Sequence, residues 1–351
     1  MTFESLLSAE TRRFQFEEPF ELECGSVLPR TEVSYRTWGE PRSEAILVCH
    51  ALTGSADADD WWKGLFGEGR ALDPSVDYIV ASNVLGGCYG TTGPGSPRLG
   101  EHRHYASEFP RVTIRDMVRF QARLLDALGI ERVQLAIGGS MGGMQVLEWP
   151  LLYPDRVQAI VPVCVSARHS AWCVGISEAQ RQAIRADQDF DDGHYQLGAG
   201  PTTGLASARM MALISYRSRE SFAQRFDRVR HDGQEFEVER YLRYQGEKLA
   251  MRFDANTYIR LTEAMDSHDV GRDRGDYRDV LAAIKQPALV IGVTSDVLYP
   301  LTEQEELARH LSDARLEIID SPHGHDSFLM AVDELSGLVR SFMNEIHRDQ
   351  D

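Results

Sequence analysis

A serine between glycines, Ser140, is the residue from which the chemistry of this chain is best approached. Residues 138–142 read Gly-Gly-Ser-Met-Gly, the G-x-S-x-G pattern of a nucleophile held on a sharp turn between a strand and a helix. An apolar run at 133–137 precedes this motif, and an amphipathic run at 144–149 follows it. Glycines two positions before and after the serine let strand and helix approach without a Cβ clash. The backbone N–H of Met141 would then face the space above the serine, where it can stabilise an oxyanion.

A glycine-rich loop that binds phosphate is the main alternative for this segment. The four glycines do not form the pattern G-x-G-x-x-G, and no Gly-Lys-Ser or Gly-Lys-Thr follows them. The segment therefore favours a nucleophile, provided that a base and an acid occur further along the chain.

An acid for such a site is available in Asp296. It follows the continuous apolar run 288–293, which predicts a late strand of a parallel sheet. Functional groups of doubly wound sheets lie at the carboxyl ends of their strands. Asp296 is therefore the candidate that holds an imidazole in one tautomer and stabilises its charged form. An ordinary turn or helix-capping aspartate is the alternative.

The base is predicted in the loop that follows the apolar run 316–319. This loop contains His323 and His325, and either imidazole could serve. The chain order Ser140, Asp296, histidine is the order found in α/β-hydrolase folds. Three such landmarks are far more specific than the serine motif alone.

A metal site formed by His323, His325 and Asp326 is a competing interpretation. Two histidines and one aspartate do not fill a zinc shell, and no His-Glu-x-x-His motif or cysteine partner occurs elsewhere in the sequence. We therefore expect no metal. The second oxyanion donor is predicted after the strand-like run 45–49, at the backbone N–H of Leu52, with His50 shaping the loop.

Apolar runs alternate with helical patterns along most of the chain, which predicts an α/β fold with a doubly wound, mostly parallel sheet. An antiparallel opening is predicted from 20–25 and 31–38, with a turn between them. The alternation stops after Ser166 and resumes at 288. We therefore predict a first core segment at 1–169, a helical lid at 170–277 and a second core segment at 278–351.

Composition limits the partners. The net charge of −17 excludes nucleic acid and anionic membranes as expected partners. No stretch approaches the roughly 20 apolar residues of a membrane span, and no signal peptide is evident, so we expect a cytoplasmic protein. The five cysteines contain no C-x-x-C pair, which favours free thiols.

The sequence resembles the homoserine O-acetyltransferase family of α/β-hydrolase-fold acyltransferases over nearly its whole length. The matching blocks are HALTG (50–54), SNVLGGCYG (82–90), TGP (92–94), VTIRDMV (112–118), GGSMGGMQ (138–145), ARHS (167–170), FDANTY (253–258), SDVLYP (295–300) and GHD (324–326).

The resemblance implies that His325 is the base, since the family motif is Gly-His-Asp. It also implies that Arg209 and Asp326 bind the carboxylate and amino groups of the amino-acid substrate. Expected substrates are acetyl-CoA, as co-substrate rather than bound cofactor, and L-homoserine, with an acyl-enzyme on Ser140. Pairing of family members through lid helices implies a homodimer. Succinyl-CoA as donor, L-serine as acceptor, a serine esterase or thioesterase, and a non-catalytic binding protein remain alternatives.

Overall fold

The computed structural model describes residues 6–350, apart from the side chains at 347, 349 and 350. Its strands are β1 (Arg12–Phe16), β2 (Phe20–Glu21), β3 (Val27–Leu28), β4 (Thr31–Trp38), β5 (Glu44–Cys49), β6 (Ile79–Ser82), β7 (Arg132–Gly139), β8 (Ile160–Val163), β9 (Arg230–His231), β10 (Glu235–Phe236), β11 (Ala288–Val293) and β12 (Ala314–Ile319). Its α-helices are α1 (Ala58–Trp61), α2 (Ile114–Ala127), α3 (Met141–Leu152), α4 (Ala171–Arg185), α5 (Thr202–Tyr216), α6 (Arg219–Phe226), α7 (Glu237–Ala250), α8 (Ala255–Asp266), α9 (Tyr277–Ala283), α10 (Leu301–His310), α11 (Ser327–Met330) and α12 (Val332–Gln350). Short 3₁₀ helices occur at Lys63–Leu65, Ala106–Glu108, Gln188–Gly193 and Gly324–Asp326.

Eight strands form one sheet in the order β1-β4-β6-β5-β7-β8-β11-β12. From β6 to β12 the neighbouring strands are parallel, and only β1 and β4 run antiparallel to their neighbours. This arrangement confirms the mostly parallel sheet and the α/β-hydrolase fold class.

The central strand β5 shows why its sequence is apolar throughout. Ala45 and Leu47 belong to a core cluster on one side of the sheet, and Ile46 and Val48 belong to the cluster on the other side. A strand covered by helices on both faces needs apolar residues at successive positions, not at every second one. The two clusters contain residues of α2 and α3 on one side and of α12 on the other.

The predicted antiparallel opening is wrong in its pairing. The strand beside β4 is β1, whereas Phe20–Glu21 forms a separate small hairpin with Val27–Leu28. Apolar and polar residues alternate both in Arg12–Phe16 and in residues 20–25. Which of the two segments pairs with β4 depends on which can align with it across the connecting chain.

Helix α2 begins with a capping box. The Thr113 side chain accepts a hydrogen bond from the Asp116 amide, and the Asp116 carboxylate accepts one from the Thr113 amide. This capping box satisfies two backbone donors that the helix itself leaves unpaired.

Between β8 and β11 the chain forms helices α4 to α9, with the small antiparallel pair β9–β10 among them. α5 packs between α4 and α7, and α4 also packs on α8. The division at 1–169, 170–277 and 278–351 stays a prediction. Among the described residues, no helix combines the length and apolar character needed to cross a membrane.

Candidate active site

Ser140 lies on a strained turn between β7 and α3. Its φ is 57° and its ψ is −124°, a combination that non-glycine residues rarely adopt. A Cβ at Gly142 would lie 2.1 Å from the carbonyl oxygen of Cys49, and one at Gly138 would lie 2.7 Å from it. Both positions therefore require glycine, because the end of β5 passes directly beside the turn. Backbone strain of this kind, held by its surroundings, is typical of functional sites.

Asp296 and His325 form a buried pair. Nδ1 of His325 lies 2.7 Å from Oδ2 of Asp296, and the two residues are only 3% and 5% exposed. The other carboxylate oxygen, Oδ1, accepts hydrogen bonds from the backbone amides of Leu298 and Tyr299, both at 2.9 Å. These contacts fix the carboxylate behind the imidazole and assign Nδ1 as the protonated nitrogen, which leaves Nε2 free to act as a base.

The ring of Phe328 lies between His325 and the turn that contains Ser140 as a neighbour of both. The ring of Phe328 lies 5.4 Å from the His325 ring and also covers Gly139, whose Cβ would be 2.7 Å from it. Nε2 of His325 has no hydrogen-bond partner among the described residues, so no hydrogen bond to the Ser140 hydroxyl is formed in this state. Such bonds are often long in free enzymes and tighten when substrate binds.

Two backbone amides next to the serine are available for an oxyanion. Cys49 pairs with Gly138 across the sheet, so the loop that contains Leu52 lies beside the serine turn. Met141 is the first residue of α3 and has no intrahelical acceptor for its N–H. Within residues 6–350, neither the Leu52 nor the Met141 amide donates to a protein acceptor.

His50 shapes this loop, as its sequence position suggests. Its Nδ1 lies 2.8 Å from the Ala51 carbonyl oxygen, and its Nε2 accepts a hydrogen bond from the Val84 amide at 3.1 Å. Burial lowers the pKa of His50 to about 4, so the ring is neutral at pH 7. A neutral ring with one donor and one acceptor matches both contacts.

Arg252 joins the same loop to the lid. It lies between α7 and α8, and its guanidinium donates to the Thr53 carbonyl at 3.0 Å and to the Tyr89 hydroxyl at 2.6 Å. The residue after the predicted oxyanion donor Leu52 is therefore held by a charged side chain. Sequence reasoning missed Arg252; its position directly before the block 253–258 was the available signal.

Arg209 lies on α5, half-buried, with its guanidinium 5.5 Å from the centre of the Tyr216 ring. The Tyr216 ring in turn lies 5.7 Å from the His325 ring. Among the described residues no carboxylate pairs with Arg209. The ring of Tyr216 is therefore a neighbour of both the unpaired guanidinium of Arg209 and the imidazole of His325.

Asp326 has a partner that the sequence did not indicate. Its Oδ2 lies 2.9 Å from Nε of Arg217, and both side chains are largely buried. Arg217 follows the last residue of α5 and has an extended backbone, so the helical period of α5 does not indicate it.

Among the described residues, His323, His325 and Asp326 do not form one group of potential metal ligands. Nδ1 of His323 lies 3.4 Å from the Ser221 hydroxyl. In the part of the chain that the structure describes, Cys164, Asp296 and His325 have potential ligand atoms within 4.8 Å of one another. Two of these form the hydrogen-bonded pair already described. Burial raises the pKa of the Cys164 thiol well above its usual range.

A cavity lies between α5 and α7. Its volume is about 910 Å³, and Met210, Glu247 and Phe253 are among the residues that line it. Met210 is adjacent to Arg209 in the chain, so this cavity borders the helix that faces the imidazole.

Comparisons with known proteins agree with this architecture. The model of a family described as alpha/beta hydrolase fold matches residues 44–331. Homoserine O-acetyltransferase of Trichormus variabilis is 54% identical over 351 aligned residues, covering 99% of this chain and 97% of the relative. The crystal structure of homoserine O-acetyltransferase from Staphylococcus aureus has a TM-score of 0.78 at 28% identity, covering 95% of both chains. Esterase E22 has a TM-score of 0.87 at 26% identity, covering 95% of this chain and 99% of the other.

The esterase shares the fold at a similar level of identity to the transferase structure, so backbone similarity alone does not separate the two activities. The full-length identity above 50% to proteins named homoserine O-acetyltransferase shows the family. The chain belongs to the homoserine O-acetyltransferase family of α/β-hydrolase-fold enzymes.

Proposed function

We propose that this chain transfers the acetyl group of acetyl-CoA to the hydroxyl of L-homoserine, a step in methionine biosynthesis, through an acyl-enzyme on Ser140. The observation that carries the proposal is the buried His325–Asp296 pair, whose Nε2 is unpaired and whose ring shares the neighbour Phe328 with the strained Ser140 turn. The names of relatives that match over nearly their full length support homoserine as the acceptor and acetyl as the transferred group.

In the first half-reaction Nε2 of His325 takes the proton of the Ser140 hydroxyl while its oxygen attacks the thioester carbonyl carbon. The carbonyl oxygen becomes an oxyanion that the Leu52 and Met141 amides stabilise. The C–S bond then breaks, and the protonated imidazole gives its proton to the departing CoA sulfur. Ser140 is left as an acetyl ester, and His325 is neutral again.

In the second half-reaction Nε2 takes the proton of the homoserine hydroxyl, and the hydroxyl oxygen attacks the acetyl carbon. The same amides stabilise the second oxyanion. When the bond to Ser140 breaks, the imidazole returns its proton to the serine oxygen. The site needs no bound cofactor, because acetyl-CoA enters as a co-substrate and leaves as CoA.

Recognition of the amino acid falls to charged groups near the imidazole. Arg209, a half-buried cation without a carboxylate partner in the described chain, suits the substrate carboxylate. Asp326 suits the ammonium group. Its ion pair with Arg217 holds the carboxylate in place, and the guanidinium offers a second cation near the substrate.

We also propose that the chain forms a homodimer through its lid. Ile214 on α5 and Tyr244 on α7 are more than half exposed, and Met251 after α7 is 80% exposed. Large apolar side chains on adjacent helices form a surface of the kind that a second copy buries. Sedimentation should give twice the mass of the chain, and Ile214→Glu should give a monomer.

A serine esterase is the second candidate, favoured by the similarity to esterase E22. Both activities share the acyl-enzyme and differ in whether homoserine or water attacks it.

The test measures O-acetylhomoserine and free acetate together after mixing enzyme, acetyl-CoA and homoserine. We expect O-acetylhomoserine as the main product. Less ester should form when L-serine replaces homoserine or succinyl-CoA replaces acetyl-CoA. Ser140→Ala should abolish both products while the circular dichroism spectrum is unchanged. Acetate as the only product would identify an esterase, and full transfer by Ser140→Ala would exclude the covalent route.

A further inference from the structure

Tyr299 contacts both members of the acid–base pair. Its backbone amide donates to Oδ1 of Asp296 at 2.9 Å, and its ring lies 5.3 Å from the His325 ring, centre to centre. The residue is completely buried. A side chain in this position helps to fix the imidazole ring, since the ring has one face against Tyr299 and another contact at Phe328.

The hydroxyl of Tyr299 forms a hydrogen bond with His169, outside the acid–base pair. The Tyr299 oxygen lies 3.1 Å from Nδ1 of His169, whose side chain is 1% exposed. Burial raises the pKa of the phenol well above its usual range and lowers that of His169 to about 3, so both groups are neutral at pH 7. The tautomer of the neutral His169 ring decides which of the two groups donates. Nε2 of His169 lies 3.6 Å from Oδ1 of Asp266, beyond direct hydrogen-bond range.

His169 belongs to the chain that enters the lid, and this chain is joined to the one that leaves it. We call these segments the lid roots, residues 166–170 and 266–270. The His169 amide donates to the His268 carbonyl at 2.9 Å, and Arg168 pairs with Asp269 as an antiparallel bridge. The Tyr299 hydroxyl therefore connects the loop of Asp296 to a point where both lid roots meet.

The predicted lid contains the two arginines that lie near the imidazole of His325. α5 contains Arg209, and Arg217 at its end pairs with Asp326, directly after His325. The distance from these cations to the imidazole depends on how the lid is held over the core. Reaction rates are sensitive to shifts of about 1 Å in such distances.

We propose that Tyr299 and His169 are positioning residues: their hydrogen bond holds the lid in register with Asp296 and His325, so that the acyl-enzyme reacts with homoserine rather than with water. Neither side chain takes part in the chemistry. The inference rests on the function proposed above, because it needs two competing acceptors for one acyl group.

The experiment measures the ratio of O-acetylhomoserine to free acetate in the wild type and in Tyr299→Phe, at fixed acetyl-CoA and homoserine. The variant keeps the ring against His325 and the amide on Asp296, and it loses only the hydroxyl. We expect the ratio to fall about fivefold, in line with the loss of one hydrogen bond, while the rate of CoA release in the first half-reaction changes less than about twofold. Tyr277→Phe, which loses a hydroxyl bonded to Glu306 outside the site, is the matched control and should keep the wild-type ratio.

His169→Phe and the double variant provide the second measurement. If the two residues act through one bond, Tyr299→Phe/His169→Phe should have the same ratio as the worse single variant, whereas independent effects would multiply. A wild-type ratio in Tyr299→Phe, or multiplied effects in the double variant, would overturn the inference. A wild type that makes no acetylhomoserine would instead refute the proposed function, so the two failures are distinguishable.

Discussion

The imidazole of His325 and the carboxylate of Asp296 meet at 2.7 Å between Nδ1 and Oδ2, deep below the lid, with Nε2 of the imidazole left unpaired. The two residues come from loops after neighbouring parallel strands, β11 and β12. A hydrogen bond from the Gly324 amide to the Ser295 hydroxyl, at 2.9 Å, ties these loops together directly beside the pair. The imidazole is thus oriented by both its own loop and its neighbour.

Asp296→Asn should lower the rate of acetyl transfer by roughly 10³- to 10⁴-fold with little change in KM. The amide would donate to Nδ1 and shift the proton to Nε2, which removes the base. CoA release from acetyl-CoA under single-turnover conditions measures the loss. Asp320→Asn, on the exposed neighbouring loop, should keep its activity. A loss below about tenfold in Asp296→Asn would show that the carboxylate does not orient the imidazole.

Arg209→Ala should raise the KM for homoserine by about 10- to 100-fold, the cost of losing a charged hydrogen-bonding group. The burst of CoA release that reports acyl-enzyme formation should change less than about twofold, because the thioester does not need this guanidinium. Arg185→Ala on α4 controls for a charge removed elsewhere in the lid. Equal losses in both half-reactions would contradict a role in acceptor binding.

Arg252→Met should slow acyl-enzyme formation by about tenfold. The guanidinium holds the Thr53 carbonyl, and Thr53 follows the predicted oxyanion donor Leu52. Methionine keeps most of the apolar stem and removes every donor, whereas Arg252→Lys retains one and should lose less. Stopped-flow detection of CoA release measures both variants. An unchanged rate in Arg252→Met would mean that the loop needs no support from the lid.

Acid should destabilise the fold through His50. Its pKa is 6.5 when unfolded and about 4 in the folded chain, so the unfolded state binds more protons below pH 6.5. The stability contributed by the neutral ring is present above pH 6.5 and is lost as the pH falls through about 4, by about 3 kcal/mol in total. Urea unfolding at pH 7 and pH 4 should show a smaller drop for His50→Gln than for the wild type. Equal drops would assign acid sensitivity to other groups.

Much of the fold followed from patterns that local physics controls. The apolar runs of β5, β7, β8 and β11, the capping box of α2 and the glycines around Ser140 all reflect constraints within a few residues. The prediction of the opening strand was wrong because two segments with alternating apolar and polar residues compete for the same edge of the sheet. Local alternation is equal in both, and only tertiary pairing selects Arg12–Phe16.

The sequence by itself determined the residue types and their order along the chain: a serine between glycines, an aspartate after a late strand, and a histidine after the next. It left two histidines equivalent until the family resemblance was considered, and it did not indicate Arg217, Arg252 or Tyr299. The tertiary structure decided these, because hydrogen bonds such as that between Tyr299 and His169 join residues 130 positions apart. Such contacts depend on how strands, lid and loops are brought together, and that information is absent from any short stretch of chain.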